Sequence, residues 1–440
     1  MSGHPRGLFV LAATELAERF SYYGMTSLLA LYMVKQLLLP DYAGDVIGLA
    51  GLRSLMEWRG PMSDQAFASL IYGWYGGLVY FTPILGGMIA DRLLGAKRTV
   101  TLGALLMAGG HVAMSFDASF LGALLLLIIG SGLLKGNISA QVGALYAPEA
   151  ESQRTRGFTI FSTGINVGAV LGPLATGGVA ALYGWHAGFS LAAGVMFVAL
   201  AIYLLGQRFL REQRPVLGGR EHLPPLTQEE KVRSWALVGL ILLTVLPNIA
   251  YTMIWSVGII WVDERVALGT PFGAVPASWF TSIDAFASIA VVPVLLVLWA
   301  ALARRGREPA SMGKFGIGAA IVGMSALLLA AGEMLAGPDG RVAVWWAIAG
   351  YFGMGAAFMW YWPTLLAVIS QTAPPKLNAT LVSASYLSFF AGITIMGWVG
   401  SFYSEMDKAA FWLLDAAIGF AGALIVWLIH KPLSKRLGAT

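Results

Sequence analysis

Glu15-Leu-Ala-Glu18-Arg19-Phe20-Ser21-Tyr22-Tyr23-Gly24 stands in the middle of an otherwise apolar run. Positions three, four and seven residues apart share one face of a helix, so Glu15, Glu18, Arg19 and Tyr22 point the same way. A charged side chain at bilayer depth costs about 2.5–3.5 kcal/mol on insertion scales, so three on one face need a reason. Two reasons are open. The face can line an ion or substrate pathway, or a neutralised Glu–Arg pair can simply hold helices together. Two carboxylates against one guanidinium leave the face unbalanced, which favours the pathway.

The chain around this stretch has 440 residues, 58% of them hydrophobic and only 12% charged, with mean hydropathy +0.72. Soluble domains carry about 25% charged residues, so the composition is that of a polytopic membrane protein. The 54 glycines fit that class, because small residues let membrane helices approach closely. The absence of cysteine excludes disulfides and thiol chemistry. The opening Met-Ser-Gly-His-Pro-Arg runs into a long apolar span without a small-residue cleavage site, so no cleaved leader is expected.

A membrane helix needs about 20 mostly apolar residues. Twelve such runs are expected near 8–35, 65–91, 98–115, 119–145, 157–182, 187–207, 234–262, 276–302, 314–333, 342–371, 378–403 and 409–430. Lys and Arg in the short connections set the orientation. One side holds Arg92, Lys97, Arg98, Arg154, Arg156, Arg208, Arg211, Arg214, Arg220, Lys231, Arg233, Arg304, Arg305, Arg307, Lys314 and Lys376, with Arg6, Lys431, Lys435 and Arg436 in the tails. The other has Lys35, Arg53, Arg59, Arg265, Arg341 and Lys408 among acids such as Asp41, Glu57, Asp263 and Asp339. Both termini are therefore expected in the cytoplasm. The net charge of +5 reflects this membrane bias and not a nucleic-acid partner.

The polar stretch 208–233 divides the chain into an N-terminal bundle at 1–207 and a C-terminal bundle at 234–440. The expected fold is all-α, twelve helices in two six-helix bundles around a central cavity, although no sequence self-similarity marks a repeat. Gln228-Glu229-Glu230-Lys231 reads as an amphipathic lead-in to the seventh helix.

Lys135, in Gly130-Ser-Gly132-Leu-Leu-Lys135-Gly136-Asn137, is a second intramembrane ion, at the same depth as Glu15. Glu15 or Glu18 is its expected partner, as a lock between helices 1 and 4 or as a bridge that opens when a carboxylate takes a proton. The two acids are close enough to titrate as a coupled pair. Changing hydration changes proton affinity, which suits a proton coupler.

Gly86-Gly87-Met-Ile-Ala-Asp91-Arg92-Leu-Leu-Gly95-Ala-Lys97-Arg98 resembles the loop signature of the major facilitator superfamily. Asp91 and Arg92 are read as gate elements, Asp91 capping and pairing neighbouring helix ends. The opening stretch then resembles the first-helix signature of the proton-dependent oligopeptide transporter family. Further likeness runs through Val79-Tyr80-Phe-Thr-Pro83, Leu134-Lys135-Gly-Asn137, Gly157-Phe158-x-x-Phe161 and Gly164-Ile165-Asn166-x-Gly168. The resemblance implies that Glu15 and Glu18 are proton-linked acids and that Arg19 and Lys135 receive a substrate carboxylate. It also implies that Tyr22, Tyr23, Tyr80 and Asn166 line a peptide pocket.

The second half departs from the family pattern. The seventh helix reads Asn248-Ile-Ala-Tyr251-Thr-Met-Ile-Trp255 where the family carries an acid. The tenth reads Gly355-Ala-Ala-Phe358-Met-Trp360-Tyr361-Trp362 before Pro363 where the family carries a Gly-Glu pair. Tyr251, Trp255, Phe358, Trp360 and Trp362 are expected to form an aromatic end of the pocket, and Asp284 can supply the missing acid or sit as a wetted mouth residue. Cations at one end and rings at the other point to an anionic ligand. It either lacks a free α-amine or has its cationic end held by cation–π contact.

Pro83, Pro173, Pro247, Pro293 and Pro363 interrupt membrane helices and suit gating segments, Pro363 above all. Gly168-x-x-x-Gly172-Pro173-x-x-x-Gly177-Gly178 lies close to the glycine-proline motif of proton-coupled drug exporters, and close helix packing explains it equally well. There is no nucleotide-binding loop and no His-Glu-x-x-His pair, and five scattered histidines suggest neither metal nor cofactor. The expectation is a monomeric, non-enzymatic proton symporter of the bacterial cytoplasmic membrane. It would import di- or tripeptides, or peptide-like carboxylates, by alternating access. The alternative is a proton-coupled facilitator for a non-peptide organic anion or a drug-like or siderophore-like ligand, export included.

Overall fold

The computed structural model describes residues 4–437 apart from 59, 148–149, 212–224, 272, 338–339 and 375–376. Half of the expected connection at 208–233 lies outside the described residues, as do Arg59, Arg214, Arg220, Asp339 and Lys376 of the charge count. Ten helices among the described residues are long and apolar enough to cross a membrane. The charged first helix and the third, which opens on Lys97 and Arg98, complete the expected twelve.

The chain forms two compact units, Met1–Gly218 with Pro276–Ser282, and Gly219–Val275 with Ile283–Thr440. The first unit contains α1 (Arg6–Tyr32), α2 (Asp64–Ile89), α3 (Ala96–Ala113), α4 (Phe120–Ala144), α5 (Glu151–Tyr183) and α6 (Trp185–Gly206). Two short helices, Pro40–Ala43 and Leu49–Met56, lie in the α1–α2 connection, where no element was expected. Within this unit α1 packs on α5 and α6, α3 on α4 and α6, and α2 on α4.

The second unit begins with α7, which runs in three pieces, Gln228–Leu243, Val245–Met253 and Val257–Arg265. After it come α8 (Phe280–Arg304), whose first residues belong to the first unit, α9 (Ser311–Ala336), α10 (Val344–Thr372), α11 (Asn378–Gly400) and α12 (Lys408–Leu437). Here α7 packs on α11 and α12, and α9 on α10 and α12. Adding six to each helix number of the α1 and α3 pairings reproduces these four. The two units thus repeat one packing scheme although their sequences show no obvious repeat.

Lipid gives helices little hydrophobic reason to associate, so close packing at small residues does the work. The row Gly164, Gly168, Gly172 on α5 lies against α1. A Cβ at Gly164 would stand 2.9 Å from the Ala12 carbonyl, and one at Gly168 2.5 Å from the Leu16 carbonyl and 2.9 Å from Arg19 Cβ. Thr176 continues the row by donating to the Gly24 carbonyl at 2.9 Å. The glycine-proline stretch is therefore a packing face. On α2, a Cβ at Gly86 would collide with the Gly132 backbone of α4. The α2–α3 corner turns at Gly95, whose φ of 75° favours glycine.

α7 starts where the amphipathic lead-in placed it, with a capping box: the Thr227 amide donates to Glu230 Oε2 at 2.8 Å and the Glu230 amide to Thr227 Oγ at 3.2 Å. Its first interruption, at Thr244, precedes Pro247, whose ring clashes with the carbonyl four residues back, at Leu243. Pro83, Pro173, Pro293 and Pro363 instead sit inside uninterrupted helices. The second interruption, at Ile254–Ser256, has no proline, and Ser256 leaves helical geometry at φ −119°, ψ −86°. The Ile254 carbonyl takes a bond from the Tyr351 hydroxyl at 2.9 Å.

Each unit is tied at one end by polar side chains. In the first, the Tyr32 hydroxyl donates to Asp117, which also lies 2.9 Å from His186 Nε2. In the second, Arg265 pairs with Glu333 at 3.0 Å, and Trp261 Nε1 donates to the same carboxylate at 2.5 Å.

Candidate functional site

The site of the first unit is built on α1. Glu15, Glu18 and Arg19 are all buried, at 4, 0 and 5% exposure, so the predicted face points into the bundle and away from lipid. Arg19 Nε lies 3.0 Å from Glu15 Oε1 and 2.5 Å from Glu18 Oε2. One N–H cannot point at two carboxylates, and both Glu18 oxygens and Arg19 Nη2 lack a hydrogen-bond partner among the described residues. The α5 glycines hold this turn of α1 in place from behind.

Lys135 arrives from α4, where Asn137 Nδ2 donates to the Gly86 carbonyl of α2 at 3.1 Å. The expected Lys135–glutamate bridge is not made: among the described residues no carboxylate lies within 4.0 Å of its ammonium. Arg19 is on the same helix as both acids and reaches them first. The ammonium stands instead over two rings, 4.4 Å from the Tyr22 centroid and 4.8 Å from that of Tyr80. The Arg19 guanidinium lies 5.4 Å from the Tyr22 ring, and Tyr23 meets Tyr22 edge-on at 5.2 Å. Both cations therefore lie against the Tyr22 ring. Asn166 is half-buried on α5, outside the interactions of this cluster.

The second unit carries the aromatic group. Asp284, on α8, is buried and not a wetted mouth residue. The Tyr251 hydroxyl lies 3.1 and 3.2 Å from its two oxygens, and Trp255 Nε1 donates to Oδ2 at 3.1 Å. Both donors come from α7, Trp255 from its second interruption. Tyr251 stacks on Phe358 at 5.3 Å, and Phe358 stacks on Trp362 at 6.0 Å. Trp360 does not join them. Phe358 and Trp362 are four residues apart and share a face, whereas Trp360 points elsewhere on α10 and meets Trp299 edge-on at 5.6 Å.

The expected gate residues are less engaged. Asp91 and Arg92 lie in the π-helical turn Ala90–Leu94, exposed, and Asp91 caps or pairs with nothing among the described residues. Two features escaped the sequence reading: the Tyr32–Asp117–His186 tie, and Asp415, a fully buried acid on α12. Asp415 was visible as a charge inside the last apolar run.

A family model described as the POT family matches residues 97–219 and 226–413. The chain belongs to the POT family. Membership in this family of transporters makes the protein a multi-pass membrane transporter of the major facilitator fold and not an enzyme. A di-/tripeptide transporter of Lactococcus lactis subsp. cremoris is 30% identical, over 99% of this chain and 97% of its own length. A crystal structure of a POT peptide transporter with sulfate superposes with TM-score 0.86 at 26% identity, over 99% of this chain and 96% of that one. Another POT transporter, in complex with 5-aminolevulinic acid, gives TM-score 0.85 at 25% identity, over 99 and 98%. The likeness spans both units.

Proposed function

We propose that this POT transporter is a proton-driven importer of di- or tripeptides or closely related carboxylates. It works by alternating access in a bacterial cytoplasmic membrane, with both termini in the cytoplasm. The observation that carries the reading is the charge count of the first unit. Glu15, Glu18, Arg19 and Lys135 sum to zero when all are ionised, and Lys135 has no carboxylate of its own. Adding a ligand carboxylate leaves one negative charge in a poorly solvated site, and adding a proton to Glu15 or Glu18 removes it. Ligand and proton then favour each other's binding, which is the condition for symport. Arg19 and Lys135 take the carboxylate, and Tyr22, Tyr23, Tyr80 and Asn166 the adjoining backbone. Peptide transport by the Lactococcus relative supports the ligand class.

A second reading rests on Asp284. Both its oxygens already accept bonds from Tyr251 and Trp255, so its capacity for a ligand ammonium is partly used. A carboxylate without an α-amine fits that arrangement, its body against Tyr251, Phe358 and Trp362. The relative that binds 5-aminolevulinic acid, whose amine is not on the α-carbon, shows a POT protein holding such a compound.

Proteoliposomes with an internal pH dye test both. Import of dialanine down its gradient should acidify the lumen, and a panel of N-acetylated peptides and organic acids should identify the preferred class. An unchanged internal pH during measured uptake rules out the symport.

A further inference from the structure

Asp415 is unused by the mechanism above. It sits in α12 at 0% exposure, and neither carboxylate oxygen has a hydrogen-bond partner among the described residues. Gly419, one turn further on, lies against Gly323 of α9, and two contacts fix the α7 side of the Asp415 surroundings. A Cβ at Gly422 would stand 3.1 Å from Pro247 of α7, and the Trp412 ring lies 5.4 Å from that of Trp261, also on α7. Asp415 falls between Trp412 and Gly422 and nearer the former, so its level on the other helix lies between Pro247 and Trp261 and nearer the latter, at the Ser256 end of the interruption. The Ser256 hydroxyl there is also buried without a partner among the described residues, as is Trp412 Nε1, one turn from Asp415 on its own helix.

The charged groups on the packed elements have interactions of their own, Arg233 with Glu229 on the first piece of α7 among them. Arg265 pairs with Glu333 of α9, Glu264 accepts from Tyr403, and Lys408 stands over the Tyr403 ring, all at the end of the unit where α12 begins, about two turns before Asp415. Lys314 of α9, near its start, pairs with Glu308. An ionised Asp415 therefore has no ion-pair partner and accepts no hydrogen bond among the described residues, a state that is costly in a packed interior. Hard metal cations take about six oxygen ligands, and one carboxylate with one hydroxyl does not supply them. A proton needs only the carboxyl.

We propose that Asp415, facing the broken turn of α7 at Ser256, is a second proton-binding site of the transport cycle, separate from Glu15 and Glu18. The proton stays while α12 is closed on α7 and leaves when water reaches the interruption. This rests on the proton-driven reading above, so the first test needs no transport. Infrared spectra of the protein in bilayers should show a protonated-carboxyl band that Asp415→Asn removes, and superposable spectra overturn the assignment. On the wild type, thermal midpoints equal in sodium and choline chloride support a proton, and a sodium-specific rise overturns it. In uptake at static head with a one-unit pH gradient, losing one of two protons lowers the accumulation limit about tenfold. Asp415→Asn should show that loss with counterflow retained, and an unchanged limit overturns the coupling. If the band is present but no ligand moves with protons, Asp415 remains a proton site and the symport reading alone fails.

Discussion

Lys135 and Glu18 show how much a single side chain can decide. Lys135 sits on ring faces with no carboxylate partner, so it is available to an incoming carboxylate without first breaking an ion pair. A charge-assisted hydrogen bond contributes about 1.5–3 kcal/mol, so Lys135→Ala should weaken anionic ligands by roughly ten- to a hundredfold. Thermal shift with peptide ligands measures this, and unchanged affinity removes Lys135 from the site. Glu18 has a different task. Its Oε2 lies 2.5 Å from Arg19 Nε without a well-formed hydrogen bond among the described residues, so proton uptake loosens its hold on Arg19. Glu18→Gln should abolish pH-driven accumulation and leave counterflow largely intact. Uphill uptake by that variant would refute the role.

At the scale of elements, the adjacent glycines of α2 make a controlled pair. A Cβ at Gly86 meets the Gly132 and Leu133 backbone of α4, and one at Gly87 meets nothing within 4 Å. Overpacking costs about 1–3 kcal/mol, whereas alanine in an open helical position gains roughly 0.5–1 kcal/mol over glycine. Gly86→Ala should therefore lower the melting temperature and displace Lys135, while Gly87→Ala should hold or raise it. Equal midpoints for the two would mean that α2 and α4 are not in the contact described. The helices themselves were legible because length and apolarity suffice to define a membrane span. The Thr244 break could be anticipated from Pro247, but the one at Ile254–Ser256 could not. There the Ile254 carbonyl takes its bond from Tyr351 and the Trp255 side chain turns to Asp284, and both partners are distant in sequence. The same distinction holds for the site. The buried face of α1 followed from spacing alone, whereas the missing Lys135 bridge depended on how close α4 comes. Trp360 lies on another side of α10 from Phe358 and Trp362, as a step of two residues along a helix implies.

For the whole molecule, the electrical work of transport separates the two ligand classes whatever the proton count. A zwitterionic dipeptide adds no charge of its own to the protons that accompany it, and an amine-less carboxylate subtracts one. With equal proton numbers, the dipeptide cycle moves one more positive charge than the carboxylate cycle. Each charge crossing the membrane is worth about 2.3 kcal/mol per 100 mV, or roughly fiftyfold in an accumulation ratio. Imposing 100 mV, inside negative, on proteoliposomes at a fixed pH gradient should therefore raise dipeptide accumulation about fiftyfold more than that of the carboxylate. A second proton at Asp415 increases both responses and leaves their ratio unchanged. If the two ligands respond equally to the potential, the extra negative charge is not being carried by the ligand, and the charge balance drawn for Glu15, Glu18, Arg19 and Lys135 is wrong.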